Sequence, residues 1–176
     1  MERQCGECSV CCYVGAIPEL EKPPHTLCKY VKTDKCGSCS IWNSVKKPKV
    51  CDDFKCSWRH GIGSENDRPN INRVLFSTNL VENQHYGVAV ELEDNAITTT
   101  GRNMAIDYVT KQKLPIIVVK NGNKPPHDTG DYVIIHDDIL HRTGMIRGKL
   151  IKQLSENVAM YELIKGKDNG NSSSSI

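Results

Sequence analysis

The sequence has little of what a large hydrophobic core, a membrane protein or a secreted protein requires. Its 176 residues include only two Phe and two Trp, so a conventional core is thin for this length. No run of about 18 apolar residues exists, which predicts no transmembrane helix. The chain starts without the apolar stretch of a secretory signal peptide. We therefore expect a cytoplasmic protein with no membrane partner, in which another source of stability supplements the core.

An excess of one charge and the common catalytic motifs are also missing. Charged residues make up 25% of the chain, and the formal net charge is +2. This balance argues against a nucleic-acid partner, because such partners favour strongly basic surfaces. The Gly-Ile-Gly stretch at 61–63 is too short for a phosphate-binding loop, and no Ser-His-Asp set can be argued. Catalytic residues, a protein partner and the question of enzymatic activity stay open at this level.

Cysteine is missing after residue 56, although the chain contains nine of them. They are Cys5, Cys8, Cys11, Cys12, Cys28, Cys36, Cys39, Cys51 and Cys56. A disulfide scaffold would need an oxidising compartment, and an odd number leaves one thiol unpaired. Inert buried thiols would be spread along the chain instead of clustered. The distribution therefore favours ligation of a metal ion or a metal cluster.

The spacing of the cysteines supports ligation. Two residues separate Cys5 from Cys8, Cys8 from Cys11, and Cys36 from Cys39. This spacing lets two thiolates approach one tetrahedral metal ion at about 2.3 Å each. Thiolates are soft donors that favour Zn²⁺ or iron–sulfur clusters over Mg²⁺ or Ca²⁺. The expected cofactor is therefore zinc or an iron–sulfur cluster.

Cys11 and Cys12 are adjacent, and this leaves the grouping of ligands open. In an extended segment the two side chains would point to opposite faces and serve different sites, or one would be spare. In a helix, Cys5, Cys8 and Cys12 would share one face, with Cys11 beside it. Four ligands fill one tetrahedral zinc site or one four-iron cluster, so nine cysteines allow two full sites with one thiol left over. The sequence does not assign the partition.

Other candidate ligands are weaker. His25 and His60 flank the cysteine-rich segment and are backup ligands. His136 and His141, with the two Asp residues between them, lie five positions apart and do not share a helical face, so we expect an exposed loop or strand end there. The basic run Val45–Lys49 is a solvated surface, an offset to the charge of several thiolates or a nucleic-acid contact, and the sparse aromatic residues around it disfavour the last.

The N-terminal string from Cys5 to Cys12 has the order CxxCxxCC and resembles the YkgJ-type cysteine-cluster proteins, a family described as a zinc- or iron-chelating domain. Further elements follow in the family's order: Lys22-Pro23 before Cys28, Cys39–Trp42, Lys47–Cys51, Phe54–Trp58, and Arg68–Asn70 followed by Val74–Phe76. Two positions in these elements depart from the family, because Lys47 stands where the family uses Arg and Asn70 where it uses Asp.

This resemblance implies a metal-binding protein and identifies eight ligands, with Cys36 as the odd thiol. The implied metal ligands are Cys5, Cys8, Cys11, Cys12, Cys28, Cys39, Cys51 and Cys56. A flagellin lysine methylase carries a similar cysteine cluster. The alternative function is therefore an iron–sulfur-dependent enzyme or electron carrier, with methyl transfer or redox chemistry. A zinc-stapled interaction module is a third hypothesis, and the physiological role stays unknown.

The patterning predicts an α+β fold. A loop-rich cysteine module at 1–62 packs on a small, mostly antiparallel sheet with one or two helices at 63–164, and a disordered tail follows at 165–176. Phe54 and Trp58 are expected to cover the metal site. Apolar runs predict strands at Arg73–Ser77, Gly87–Leu92, Leu114–Lys120 and Asp131–His136, a helix over Asn103–Lys113, and a C-terminal helix within Met145–Ile164.

Overall fold

A computed structural model describes residues 3–32, 39–81, 84–120, 132–138 and 148–162. Cys36 and the predicted tail at 165–176 lie outside these residues. The described part contains a six-stranded sheet with helices, which confirms the predicted α+β class. No helix in this part has the length and apolar character needed to cross a membrane.

The helices are short apart from one. The described helices are α1 (Val10–Val14), α2 (Lys49–Asp53), α3 (Pro69–Asn72) and α4 (Arg102–Gln112), with 3₁₀ turns at Pro18–Leu20, Glu65–Asp67 and Ala96–Thr98. Among these described helices, α4 alone exceeds two turns, and it agrees with the predicted helix to within one residue at each end. Within 3–32 and 39–62 the chain is mostly turns and loops, in agreement with the predicted loop-rich segment.

The sheet contains strands β1 (Val74–Val81), β2 (Gln84–Glu91), β3 (Ile116–Val119), β4 (Tyr132–His136), β5 (Leu150–Ser155) and β6 (Val158–Glu162). Their order is β1-β2-β3-β4-β6-β5. Every neighbouring pair is antiparallel except β2 and β3, which are parallel. The connection between these two contains α4, because parallel neighbours need a crossover and cannot be joined by a tight hairpin.

The two faces of the sheet have different partners. On β1, Val74 and Phe76 face α4, where the Phe76 ring stacks on Tyr108 at a centroid distance of 6.2 Å. The alternate residues Leu75 and Ser77 line a cavity on the opposite face. The N-terminal segment lies on that second face, and its Val10, Val14, Cys56 and Trp58 belong to the same buried core as the sheet.

The predicted C-terminal helix is wrong. The described residues of Met145–Ile164 form the antiparallel hairpin of β5 and β6, with Glu156 and Asn157 at the turn. Glu156 and Asn157 interrupt the continuous apolar face that an amphipathic helix would need. Strand β6 instead extends the sheet by pairing with β4. Leu154 and Val158 are then fully buried. The free edge of β4 is a tertiary feature, so local periodicity could not predict this pairing.

Gly87 tests the packing between the sheet and α4. A Cβ atom at Gly87 would lie 2.6 Å from the Tyr108 ring and 3.1 Å from Ile116. Gly87→Ala should therefore lower the free energy of unfolding by about 1–3 kcal/mol, measured by urea denaturation. Gly15→Ala is the control, because its Cβ would be 3.5 Å from the nearest atom, and its effect should stay below about 0.5 kcal/mol. Equal effects would contradict the close approach at Gly87.

Candidate metal centre

A cavity of about 420 Å³ lies between the N-terminal segment and the β1–β2 face of the sheet. Most of its lining is apolar, from residues such as Val14, Leu75 and Val90. The eight cysteines that line it are Cys5, Cys8, Cys11, Cys12, Cys28, Cys39, Cys51 and Cys56. The structure therefore brings all eight sequence-predicted ligands to one cavity. Cys28 and Cys56 are buried, and the other six thiols are half-buried.

The loop that carries Cys5 and Cys8 is held by backbone hydrogen bonds. The Cys8 N–H donates to the Cys5 carbonyl at 3.0 Å, which closes a turn. Gly6 has a φ of 54° in this turn, a conformation that favours glycine. The Arg3 N–H donates to the Arg59 carbonyl at 2.9 Å, so this loop lies beside the segment that follows Cys56.

Two arginines fix the same loop around Trp58. The guanidinium carbons of Arg3 and Arg68 each lie 5.1 Å from the centroid of the Trp58 ring. Arg3 also donates to the carbonyls of Trp58, Ile62 and Gly63 at 3.1, 3.1 and 2.7 Å. Trp58 is buried and lines the cavity, in agreement with the expected apolar cover. Phe54 lines it as well, but stays more than one-third exposed.

Cys11 and Cys12 lie on α1, which begins at Val10. Cys5 and Cys8 precede this helix, so the four thiols do not share one helical face. Val10 and Val14 bury one side of α1 in the core, and Cys11 and Cys12 of the same helix line the cavity. Successive residues of a helix project about 100° apart, so the adjacent thiols leave the helix in different directions.

The segment after α1 places two further cysteines by main-chain contacts. The Cys28 N–H donates to the Cys12 carbonyl at 3.1 Å, and the Val31 N–H donates to the Cys28 carbonyl at 3.0 Å. Val31 also forms an isolated antiparallel bridge with Cys39. These bonds bring Cys28 and Cys39 close to α1, although at least 10 residues separate Cys12 from Cys28 and Cys28 from Cys39.

Cys51 lies on α2, next to a cation. The Lys47 ammonium lies 3.4 Å from the centroid of the Trp42 ring and forms an ion pair with Asp52. Lys47 also lines the cavity, and its charge acts on Cys51. Lys47 belongs to the basic run Val45–Lys49, which the sequence allowed to be either a solvated surface or an offset to the thiolate charge. Its side chain is almost fully buried, which favours the second assignment.

The environment shifts the thiol pKa values in a way that reflects burial. Burial raises the pKa of Cys56 to about 11, with the charges of Cys11, Cys8 and Cys5 acting in the same direction. Burial likewise raises the pKa of Cys8 and of Cys51. These thiols hold their protons more tightly than ordinary cysteines, so a bound cation is needed to favour several thiolates together.

Hydrogen bonds from the main chain favour the thiolate form at two of these positions. The Arg59 N–H opposes the upward shift at Cys56, and the N–H groups of Val10 and Asn70 oppose it at Cys8. N–H groups that donate to sulfur stabilise its negative charge and tune a metal bound to it. The sequence carried no signal for these donors, because they depend on the loop path.

The thiols of Cys11 and Cys12 shift each other's pKa in opposite directions. The hydrogen bond from the Cys11 thiol to the Cys12 sulfur raises the pKa of Cys11 and lowers that of Cys12. Burial adds to the upward shift at Cys11 and opposes the downward shift at Cys12. The hydrogen bond therefore makes Cys12 the more acidic thiol of the pair.

Lys22 is a buried cation that sequence reasoning noted only as part of a motif. Its ammonium donates to the carbonyls of Tyr13, Gly15 and Pro23, at 3.2 Å for Tyr13 and 3.0 Å for Pro23. The residue is 7% exposed. These bonds tie the end of α1 to the loop that leads to Cys28.

The charge of Lys22 also acts on the cysteines. Burial lowers its pKa, whereas the charges of Cys28, Cys12, Cys11 and Cys51 raise it. A cation in this position stabilises negative charge on the neighbouring sulfurs. A lysine directly before proline inside the cysteine-rich segment was the available sequence signal, and it did not reveal the burial.

The histidine alternatives do not join the cysteines. Neither His25 nor His60 is among the described residues that line the cavity. The His136 ring lies 3.5 Å from a carboxylate oxygen of Asp138, and His141 lies outside the described residues. Among the residues that the structure describes, no three His, Cys, Asp or Glu side chains form a ready-made site for one metal ion. The thiols line one cavity without a formed coordination sphere.

Comparisons with protein-family models, with curated proteins and with solved structures find no match to this chain.

Lys22 gives a direct test of how the loop is held. Lys22→Met removes the donor to three carbonyls, and should lower the free energy of unfolding by about 1–3 kcal/mol in urea denaturation. Lys32→Met changes an exposed lysine of the same segment, and should have an effect below about 0.5 kcal/mol. If the two variants unfold alike, Lys22 does not hold the loop.

Proposed function

We propose that this chain is a metal-binding protein whose clustered N-terminal thiolates hold zinc or an iron–sulfur cluster. The observation that carries this proposal is the convergence of eight cysteines, from Cys5 to Cys56, on the lining of one cavity. The same eight cysteines are those that the resemblance to the cysteine-cluster family implies.

The chemistry of the donor set fits such a group. Thiolate is the preferred ligand of zinc and iron–sulfur clusters, and the other polar side chains that line the cavity are few. They are Lys47, Arg59, Ser77 and Asn79. Lys47 and Arg59 are cations, which suits a site where several negative sulfurs surround one metal. A bound zinc would supply structural cross-links, and a bound iron–sulfur cluster would supply electron transfer.

Metal binding also accounts for the thin core. The residues described between 3 and 62 have little regular structure, and only a few of their side chains enter the main core. Metal binding adds to folding free energy when the unfolded chain has no formed site. We therefore propose that the bound metal stabilises this segment, in a protein that acts in the cytoplasm without nucleic acid.

The second candidate function is an iron–sulfur-dependent enzyme or electron carrier. The size of the cavity supports this alternative function, because its volume of about 420 Å³ falls within the range of small-molecule pockets. Trp42 and Phe54 line the cavity and are partly exposed, so its lining reaches the surface. Elemental analysis with a sulfide assay distinguishes zinc from an iron–sulfur cluster before any reaction is assayed.

The proposal is tested by the metal content of protein purified without oxygen. We expect zinc, or iron with acid-labile sulfide, in at least molar amounts, measured by elemental analysis and sulfide assay. A colourless protein with zinc favours a structural or chelating role. A brown protein that absorbs near about 400 nm favours the iron–sulfur alternative. A folded protein that has no metal and does not bind either metal on reconstitution would contradict the proposal.

Single ligand substitutions give a second test. Cys8→Ser should lower both the metal content and the melting temperature, because Cys8 lines the cavity and receives hydrogen bonds at its sulfur. Cys36→Ser is the matched control, since Cys36 is the odd thiol of the predicted set. Its effect on both measurements should be smaller. The ranking fails if the two variants retain equal metal and melt at the same temperature.

A further inference from the structure

All eight cysteines of the cavity lie between two positions of the chain that contact each other. The Arg3 N–H donates to the Arg59 carbonyl at 2.9 Å, and the Arg59 Nε–H donates to the Arg3 carbonyl at 3.3 Å. These bonds close a loop that contains every cysteine from Cys5 to Cys56. We propose that Arg3 is a positioning residue that holds the Cys5–Cys8 turn near Cys56 for metal binding. This inference rests on the proposed function and deepens it by naming the contact that prepares the site.

The segment that follows Cys56 is fixed on the sheet. The Ser57 N–H donates to the Phe76 carbonyl on strand β1 at 2.8 Å. Trp58 is 2% exposed, and its Nε1–H donates to the Ser64 carbonyl at 2.9 Å. Burial of a Trp side chain contributes strongly to packing, because its apolar area is large. The segment is therefore a firm support for the opposite end of the loop.

The guanidinium of Arg3 binds the main chain of this support at three points. Its Nη1 donates to the carbonyls of Trp58 and Ile62, and its Nη2 donates to the carbonyl of Gly63. The acceptors lie 55, 59 and 60 positions away in the sequence. A guanidinium holds its donors in a rigid planar fork, so one side chain satisfies three carbonyls in a fixed geometry. Arg3 therefore joins two segments that are remote in the chain.

The same contact places the N-terminal thiols, because the connection between them is short. A single residue separates Arg3 from Cys5, and the Cys8 N–H donates to the Cys5 carbonyl at 3.0 Å. A Cβ atom at Gly6 would lie 3.6 Å from Nη1 of Arg68, so the turn also lies against this second arginine. With Arg3 bound to its support, the turn has little freedom to leave the cavity.

Loop closure affects metal binding through the effective concentration of the thiols. Thiols near the two ends of an open loop meet seldom, and bringing them together costs chain entropy. When the loop is already closed, this cost does not fall on the metal, and the effective concentration of the thiols is higher. We therefore expect Arg3 to slow the release of a bound metal ion, although it is not a ligand itself.

Release of zinc from the full-length chain loaded with Zn²⁺ tests the inference. Arg3→Met keeps a long apolar side chain and removes all of the guanidinium donors. This variant should pass its zinc to a coloured chelator at least about tenfold faster than the native chain, because charge-assisted hydrogen bonds of this number are worth that factor or more. Arg3→Lys keeps the charge without the fork and should also release zinc faster. Release at the native rate in Arg3→Lys would show that charge alone acts, and would overturn the positioning role.

Arg102→Met is the matched control. Arg102 also donates to a remote carbonyl, that of Leu154, and neither residue is among those that line the cavity. Its loss should lower the free energy of unfolding in urea and leave the rate of zinc release unchanged. A release as fast as that of Arg3→Met would mean that general destabilisation explains both variants, and the inference would then be wrong.

Alkylation of the full chain as purified gives a readout at the thiols themselves. Iodoacetamide should modify Cys5 and Cys8 several-fold faster in Arg3→Met than in the native chain. The rate at Cys28 should stay unchanged, because its own N–H binds it to α1. Fragmentation mass spectrometry resolves the rate at each position. Native rates at Cys5 and Cys8 in the variant, or an equal rise at all three thiols, would contradict the positioning role.

The outcomes separate the inference from the proposed function. A native chain that retains neither zinc nor an iron–sulfur cluster contradicts the proposed function, and the alkylation rates then decide the role of Arg3. A native chain that holds metal and releases it no faster after Arg3→Met overturns the positioning role, and the proposed function stands.

Discussion

The convergence of eight thiols on one cavity is the constraint that shapes the N-terminal part of the chain. Of the residues described in this part, few lie in helices and none lies in a strand of the main sheet. Single hydrogen bonds hold its path instead, such as those of Cys8 to Cys5 and of Cys28 to Cys12. Single hydrogen bonds support the backbone less than the regular ladders of helices and sheets do. The proposed metal binding would add stability, because the clustered thiols are suitable metal ligands.

The sheet supports this arrangement because its two faces are used differently. One face of β1 packs on α4 through Val74 and Phe76, which gives a conventional apolar core. The other face presents Leu75 and Ser77 to the cavity. Strand alternation alone divides these roles, so a rigid core on one side provides a fixed wall for the thiols on the other. Trp58, whose ring centroid lies 5.1 Å from the guanidinium carbons of Arg3 and Arg68, continues this wall toward the N-terminal loop.

Charge is the second condition on the site. Burial raises the pKa of several thiols, so gathering them without compensation favours the protonated forms. Lys22 and Lys47 oppose this, because the charge of Lys22 interacts with Cys28 and that of Lys47 lowers the pKa of Cys51. Both lysines have further roles, since Lys22 binds three carbonyls and Lys47 lies over the Trp42 ring. The same contacts that fold the loops therefore also prepare them for negative charge.

The sequence by itself determined the cysteine module, the α+β class and helix α4, because cysteine spacing and apolar periodicity are local properties. The resemblance to the cysteine-cluster family implied eight candidate ligands, and the tertiary structure brings these eight to one cavity. Only the tertiary structure decided the β5–β6 hairpin, since β6 pairs with a strand more than twenty residues earlier. It also decided the burial of Lys22 and the neighbours of Cys11 and Cys12. These features depend on contacts between segments far apart in the chain, and no local pattern of residues specifies them.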